Sequence, residues 1–351
     1  MLIAVIVIIG LSLLIFGHEA GHFFMAKLFG LKVEEFGFGF PPRLFAKKIG
    51  ETEYSVNWLP FGGFVKIGGE RGEFEMLDAD GKEKEGASPD ASRLLYAQPA
   101  WKKSLIMLAG VFMNFILGWV FISLTFMVGA PQALVIGSVQ PSSPAEAAGM
   151  MAGDIVKGFT TAQSFISFVD EHRGQPTIFT VVRNNKDFTY TITPRVNTGP
   201  DEGAIGVGLA ETGAPGEGFF RAIWDGLIAA GLIVWLTLQA FWQLISQLFF
   251  RATLLSGVVG PVGIFGIAEE TGKLGLIYLL RFLGIVSLNL TVVNLIPFPA
   301  LDGGRFVMAI IEKIKGSALS YKTEAWVNGL GFAILILLMV LLTVRDVQGL
   351  L

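Results

Sequence analysis

His18-Glu19-Ala20-Gly21-His22 closes an apolar run that carries no charge from Met1 to Gly17, and Phe23, Phe24, Met25 and Ala26 resume the same character. On a helix, residues four apart share a face, so His18 and His22 can offer both imidazoles to one metal ion. Glu19 stands beside them, placed to take a proton from an attacking water. Ionisable groups at membrane depth are costly and are kept mainly where they function. Two of the three histidines in the chain fall in this motif. The chemistry it predicts is zinc-dependent peptide hydrolysis within a bilayer. The plainer alternative is a chance motif whose histidines are ordinary core residues.

A catalytic zinc normally keeps three protein ligands and one open position for water. His172 falls in a segment expected on the other face of the membrane, which leaves Asp302 as the third ligand. Asp302 stands in Asn294-Leu295-Ile296-Pro297-Phe298-Pro299-Ala300-Leu301-Asp302-Gly303-Gly304, at the end of an apolar run. The prolines break the helix, and Gly303-Gly304 are expected to let the backbone approach the metal closely. The competing role for Asp302 is a cap on the helix that follows.

Composition agrees with a membrane protein. Hydrophobic residues are 52%, charged residues 16%, and mean hydropathy is +0.62, to the apolar side of soluble domains. Cysteine is absent, so neither disulfides nor a Cys-ligated metal can form. The net charge of -3 comes without a basic block, so no nucleic-acid partner is expected. The N-terminal run lacks a basic start, and cleavage after it would discard the histidine motif, so it reads as a retained spanning helix.

The expected fold is a polytopic α-helical membrane protein: a four-helix transmembrane core, a membrane-associated β-element and an inserted PDZ-like α+β domain. The first helix occupies 1–30, the second 102–129, the third 273–304 and the fourth 325–345. Residues 31–101 hold the β-element (34–70), with alternating apolar residues in 36–40, 54–58 and 63–67, and an exposed, mobile loop from Arg71 to Pro99. Residues 131–210 form the inserted domain, in which Ser143-Pro144 opens and Gly149 closes a short helix. From Lys27 to Lys103 there are twelve Lys or Arg, against six in 131–221. The positive-inside rule then puts 31–101 in the cytoplasm, and 131–210 and the N-terminus outside.

Residues 217–272 are ambiguous. Ala222 to Phe250 contains Asp225 and three tryptophans, a composition suited to an interface. One full crossing there would put Asp302 on the opposite side from the histidines. The segment is therefore expected to be an amphipathic or re-entrant helix.

With H-E-x-G-H at 18–22 and N-x-x-P-x-P-x-L-D-G-G at 294–304, the chain resembles the site-2 protease family of intramembrane zinc proteases. Ala109-Gly110-x3-Asn114 and Gly260-Pro261-Val262-Gly263 extend the similarity; the near-intact S-P-A-x-x-A-G-M-x-x-G-D-x-I of Ser143 to Ile155 resembles a bacterial PDZ domain, and a single such domain after the second spanning helix is similar to the regulator of sigma-E protease branch. The resemblance implies a Zn2+ cofactor and regulated cleavage of single-span membrane proteins, such as anti-sigma factors or signal-peptide remnants. It implies a preceding site-1-type protease in the cascade, and a multi-pass location in a bacterial inner membrane, in contact with lipid. It also implies that Asn289 and Asn294 hold the unwound substrate and that 34–70, with Phe38 and Gly39 among its substrate-binding residues, is a re-entrant β-element. Two rivals remain: a zinc transporter, for which no second His or Asp cluster is seen, and a membrane scaffold with a structural metal.

Overall fold

The computed structural model describes residues 2–70, 91–183, 186–199, 202–251, 259–317 and 319–350. Most of the expected mobile loop, 71–90, thus lies outside the described residues. The chain divides into two units, Met1–Thr125 with Phe219–Leu351, and Phe126–Gly218.

In the first unit, α1 (Leu2–Leu28), α2 (Ala100–Val128), α5 (Phe219–Arg251), α7 (Leu276–Leu295) and α9 (Tyr321–Leu350) are the long helices. All five are long and apolar enough to cross a membrane. Helices apolar all round, with Leu330, Phe332 and Leu337 of α9 exposed, have lipid as their natural solvent. The four expected crossings thus become five candidates, because the ambiguous stretch forms one continuous helix of 33 residues. Length and apolarity were always sufficient there; the tryptophans and Asp225 had argued for an interface.

Contacts along the bundle place both ends of this ambiguous region. α2 runs antiparallel to α1, with Gly21 against Ala109 and Gly17 against Leu117. α5 starts near the C-terminal end of α2, where the Trp119 indole N–H donates to the Ile223 carbonyl at 2.9 Å. α6 (Pro261–Leu274) has Gly272 against Ile3, and the Gly260 amide before it donates to Asp346 near the end of α9. The N-terminal part of α9 lies at the other end, where the Asn328 side chain accepts from the Ala300 amide. The chain therefore enters α5 and leaves α6 at one end of the bundle, the end where α1 begins. From there α7 runs back to the level of the histidines.

The β-element is built from two long strands, β1 (Val33–Ile49) and β2 (Thr52–Ile67), paired antiparallel. Both bend. Residues 43–49 pair with 52–57, and 63–67 pair with 33–38, while 35–38 also run alongside 53–56. Residues 35–38 are thus flanked on both sides, and 63–67 form an edge. Phe36 stacks on Phe23 at 4.6 Å and lies 4.8 Å from Phe16, fastening the sheet to α1. The edge then runs along α1: Ser12 Oγ donates to the Pro60 carbonyl, Gly62 lies on Ile15 and Gly63 on Phe16. Seven residues of α1, about 10 Å of helix, separate Ser12 from Glu19. The sheet therefore extends well along the apolar helix and is not a hairpin standing off its end.

The second unit carries a five-stranded sheet in the order β6-β5-β4-β3-β7, built from β3 (Ala130–Val139), β4 (Ile155–Val156), β5 (Thr177–Arg183), β6 (Lys186–Ile192) and β7 (Val207–Ala214). α3 (Pro144–Ala148) has the expected ends: Ser143 Oγ accepts from the Glu146 amide, and Gly149 takes φ 92°. α4 (Ala162–Glu171) contributes Phe165 to a core with Leu134, Ile136, Phe179 and Val181. Buried Asp154 is clasped by Arg183, whose Nε donates to Oδ1 at 2.6 Å. That guanidinium holds the Asp154 carboxyl below its ordinary range. His172 is committed within this unit, its Nδ1 lying 2.8 Å from the Phe168 carbonyl.

Candidate active site

α1 and α2 cross at small residues: a Cβ on Gly21 would fall 2.3 Å from the Ala109 carbonyl oxygen and 3.0 Å from the Gly110 Cα. Such close approach of small residues is how helices pack in lipid. It brings His18 and His22 onto α2, and the His22 Nδ1 lies 2.8 Å from the Ile106 carbonyl. A carbonyl can only accept, so that nitrogen bears a proton, and on a neutral ring Nε2 then presents a lone pair.

Asp302 arrives from the other direction. Pro297 and Pro299 end α7, leaving Ile296 extended at φ -61°, ψ 137°. Ala300 turns the chain with a positive φ of 73°, and Asp302 opens α8 (Asp302–Lys315). Gly303 and Gly304 serve this turn. A Cβ on Gly303 would lie 2.3 Å from the Leu295 and Ile296 carbonyl oxygens, and one on Gly304 2.2 Å from that of Phe298. The close approach that these two glycines permit in the structure is to the carbonyls at the end of α7 and in the loop.

Three acceptor atoms converge. His18 Nε2 and His22 Nε2 are 3.2 Å apart and lie 3.0 and 3.3 Å from Asp302 Oδ2. Asp302 Oδ2 is buried without a hydrogen-bond partner. Lone pairs facing one another in a buried site repel unless a cation sits among them. On a tetrahedral zinc with bonds of about 2.0–2.1 Å, neighbouring ligand atoms stand about 3.3 Å apart, close to the separations found. The donor set, two imidazoles and a carboxylate, also suits zinc. Among the described residues this is the cluster of side chains able to hold a metal.

The needed space is kept by Gly110, where a Cβ would lie 2.4 Å from His22 Nε2 and 2.8 Å from His18 Cε1. Gly110→Ala is therefore expected to cut zinc occupancy of the purified protein at least tenfold, read by elemental analysis. Full occupancy in that variant would mean the metal lies elsewhere.

Glu19 lines the same cavity of about 250 Å³, together with Val65, Asn294, Glu70 and Arg305. Its Oε2 accepts from the Val65 amide at 3.1 Å, so the sheet edge holds the carboxylate in place. Arg305, on the first turn of α8, is ion-paired with Glu70. Burial works against its charge, but Glu70 and then Asp302 outweigh that, so its pKa is raised. Of the two asparagines, Asn294 lines the cavity. Asn289 instead accepts from Thr237 Oγ1 of α5 at 2.7 Å. Five positions apart, they point about 140° away from each other around α7. Phe38 packs edge-on to Phe16 at 5.6 Å, and a Cβ on Gly39 would meet the Leu59 carbonyl at 2.6 Å. Both belong to the doubly flanked strand and the turn after it, whereas the edge beside Glu19 is 63–67.

The profile of peptidase family M50 matches residues 6–338. A Clostridium perfringens protein provisionally named a zinc metalloprotease is 36% identical over 346 residues, covering 97% of each chain. Zinc metalloprotease RasP of Geobacillus kaustophilus is 31% identical over 428 residues, covering 99% of this chain and 97% of that one. Regulator of sigma-W protease RasP of Bacillus subtilis is 29% identical, with 99% and 98% covered.

Proposed function

The chain belongs to peptidase family M50, the site-2 proteases, and on that premise we propose that His18, His22 and Asp302 hold its zinc and that Glu19 moves the protons of peptide hydrolysis. It is a zinc metalloprotease. The observation that carries the residue assignment is the convergence of three buried lone-pair atoms at 3.0–3.3 Å beside a carboxylate. A structural zinc site would close with a fourth ligand, and the cluster among the described residues has three.

When bound, zinc supplies a Lewis acid that polarises the scissile carbonyl and acidifies water. Glu19 then takes the proton from the attacking water and hands it to the leaving amide nitrogen. The Val65 amide fixes where the Glu19 carboxylate sits. A transmembrane substrate hides its peptide groups in helical hydrogen bonds and must unwind before attack. Pairing of the unwound stretch along the 63–67 edge replaces those bonds with strand bonds and delivers the peptide beside Glu19. Asn294, lining the cavity, offers its amide to a substrate peptide group. Asn289 joins it only after releasing Thr237.

The substrates are single-span membrane proteins, anti-sigma factors among them, as the family resemblance implies; the Bacillus relative is named a regulator of sigma-W protease. A first cut by another protease precedes this one. The family resemblance supports a bacterial cytoplasmic membrane location, and the lysine and arginine distribution favours an N-terminus outside. The second unit, read as PDZ-like, then lies outside and filters substrates by the bulk of their outer part. Replacing 131–210 by a flexible linker is expected to keep cleavage of short-tailed substrates and to admit long-tailed ones. Loss of both activities in a folded, zinc-loaded protein would instead make the domain a required docking site.

The test of the function itself is cleavage in proteoliposomes. A single-span protein with a short outer tail should be cut within its membrane segment, with the new termini read by mass spectrometry. Cuts confined to exposed loops would contradict intramembrane proteolysis.

A further inference from the structure

Asn114 of α2 is fully buried, and its side-chain nitrogen lies 3.1 Å from His18 Nδ1. Its side-chain oxygen is buried without any partner. Its backbone carbonyl accepts from Ser287 Oγ of α7 at 2.8 Å, so the position is pinned between two helices. The two histidines are thus served alike. Each has its outer ring nitrogen against a group of α2: His22 against the Ile106 carbonyl, His18 against the Asn114 amide.

The roles must also match. If His18 presents the lone pair of Nε2 to the cluster, a neutral ring carries its proton on Nδ1. An N–H cannot donate to an NH2 group; it needs an acceptor. The oxygen and nitrogen of an asparagine amide have nearly the same shape, and their assignment follows from the network around them. Turning the Asn114 amide over places Oδ1 on the His18 proton and removes the orphaned acceptor. One amide atom lacks a partner in either orientation, but only the turned one supports a ring that can bind metal.

We propose that Asn114 is a positioning residue whose side-chain oxygen accepts from His18 Nδ1, fixing the tautomer and the ring plane that aim Nε2 at the zinc. The proposal rests on the zinc-site reading. Outer partners of this kind typically change metal affinity about 10–100-fold when lost.

The test compares purified full-length wild type, Asn114→Leu and Asn114→Asp by zinc affinity in chelator competition and by the absorption spectrum of the cobalt-substituted forms. Leucine keeps the branching at Cγ and removes the acceptor; aspartate offers only acceptors. Asn114→Leu should bind zinc about 10–100-fold more weakly with an altered cobalt spectrum, and Asn114→Asp should hold zinc at least as tightly as wild type. Unchanged affinity in Asn114→Leu would overturn the proposal by showing that the residue only fills space. Weakened binding in Asn114→Asp would overturn it by showing that the nitrogen faces His18, a comparison that stands even if the leucine variant does not fold. Failure of wild type itself to bind zinc would overturn the metal-site reading and this assignment together.

Discussion

Glu19→Gln should keep a full complement of zinc and lose proteolysis. Glutamine preserves the shape of the side chain and can still accept from the Val65 amide, so the sheet edge and the cavity stay in place. It cannot take up a proton at neutral pH, and the step from water to leaving nitrogen loses its carrier. General acid–base catalysis contributes about 10²–10⁴-fold, and Glu19 serves in both directions, so the fall in kcat should lie toward the upper end. The measurement is turnover of a single-span substrate in detergent or proteoliposomes, with zinc determined on the same sample. Near-normal turnover would remove Glu19 from the chemistry.

The second large effect is expected at the ligands. Asp302→Ala removes one of the three groups proposed to share the metal and leaves His18 and His22 facing a gap. Zinc content should fall well below one per chain after dialysis, and activity should fall with it. The loop from Ile296 to Leu301 is organised by the prolines, the Asn328 contact and the two glycines, so the variant should still fold. This separates it from Glu19→Gln, which loses activity alone. Full zinc and full activity in Asp302→Ala would place the third ligand elsewhere.

Spacing alone carried much of the site. Four-residue periodicity puts His18 and His22 on one helical face, and the proline-broken end of the third apolar run marks where Asp302 turns in. The capped helix at Ser143 to Gly149 and the strand alternation in 34–70 depend on local preferences, so they too were legible. What depends on how helices cross was not. Gly110 and Asn114 belong to the site because α2 meets α1 at Gly21, a register that no local pattern encodes. Asn289 and Asn294 look alike in sequence, yet rotation about α7 sends one to Thr237 and the other to the cavity. The resemblance gave Phe38 and Gly39 to the substrate, and the long-range pairing that flanks Phe38 on both sides leaves no trace in alternation. The parity of 217–272 was constrained by chemistry, and tertiary contacts at Ile3 and Asp346 were needed to locate its ends.

Metal removal and return on one wild-type preparation tests the central claim most directly. Purified protein should carry about one zinc per chain, as a single three-ligand site requires. Extraction with a strong chelator should abolish cleavage within the substrate's membrane segment, and stoichiometric zinc should restore it at the same peptide bond. Cleavage at that bond by fully metal-depleted protein would contradict the account.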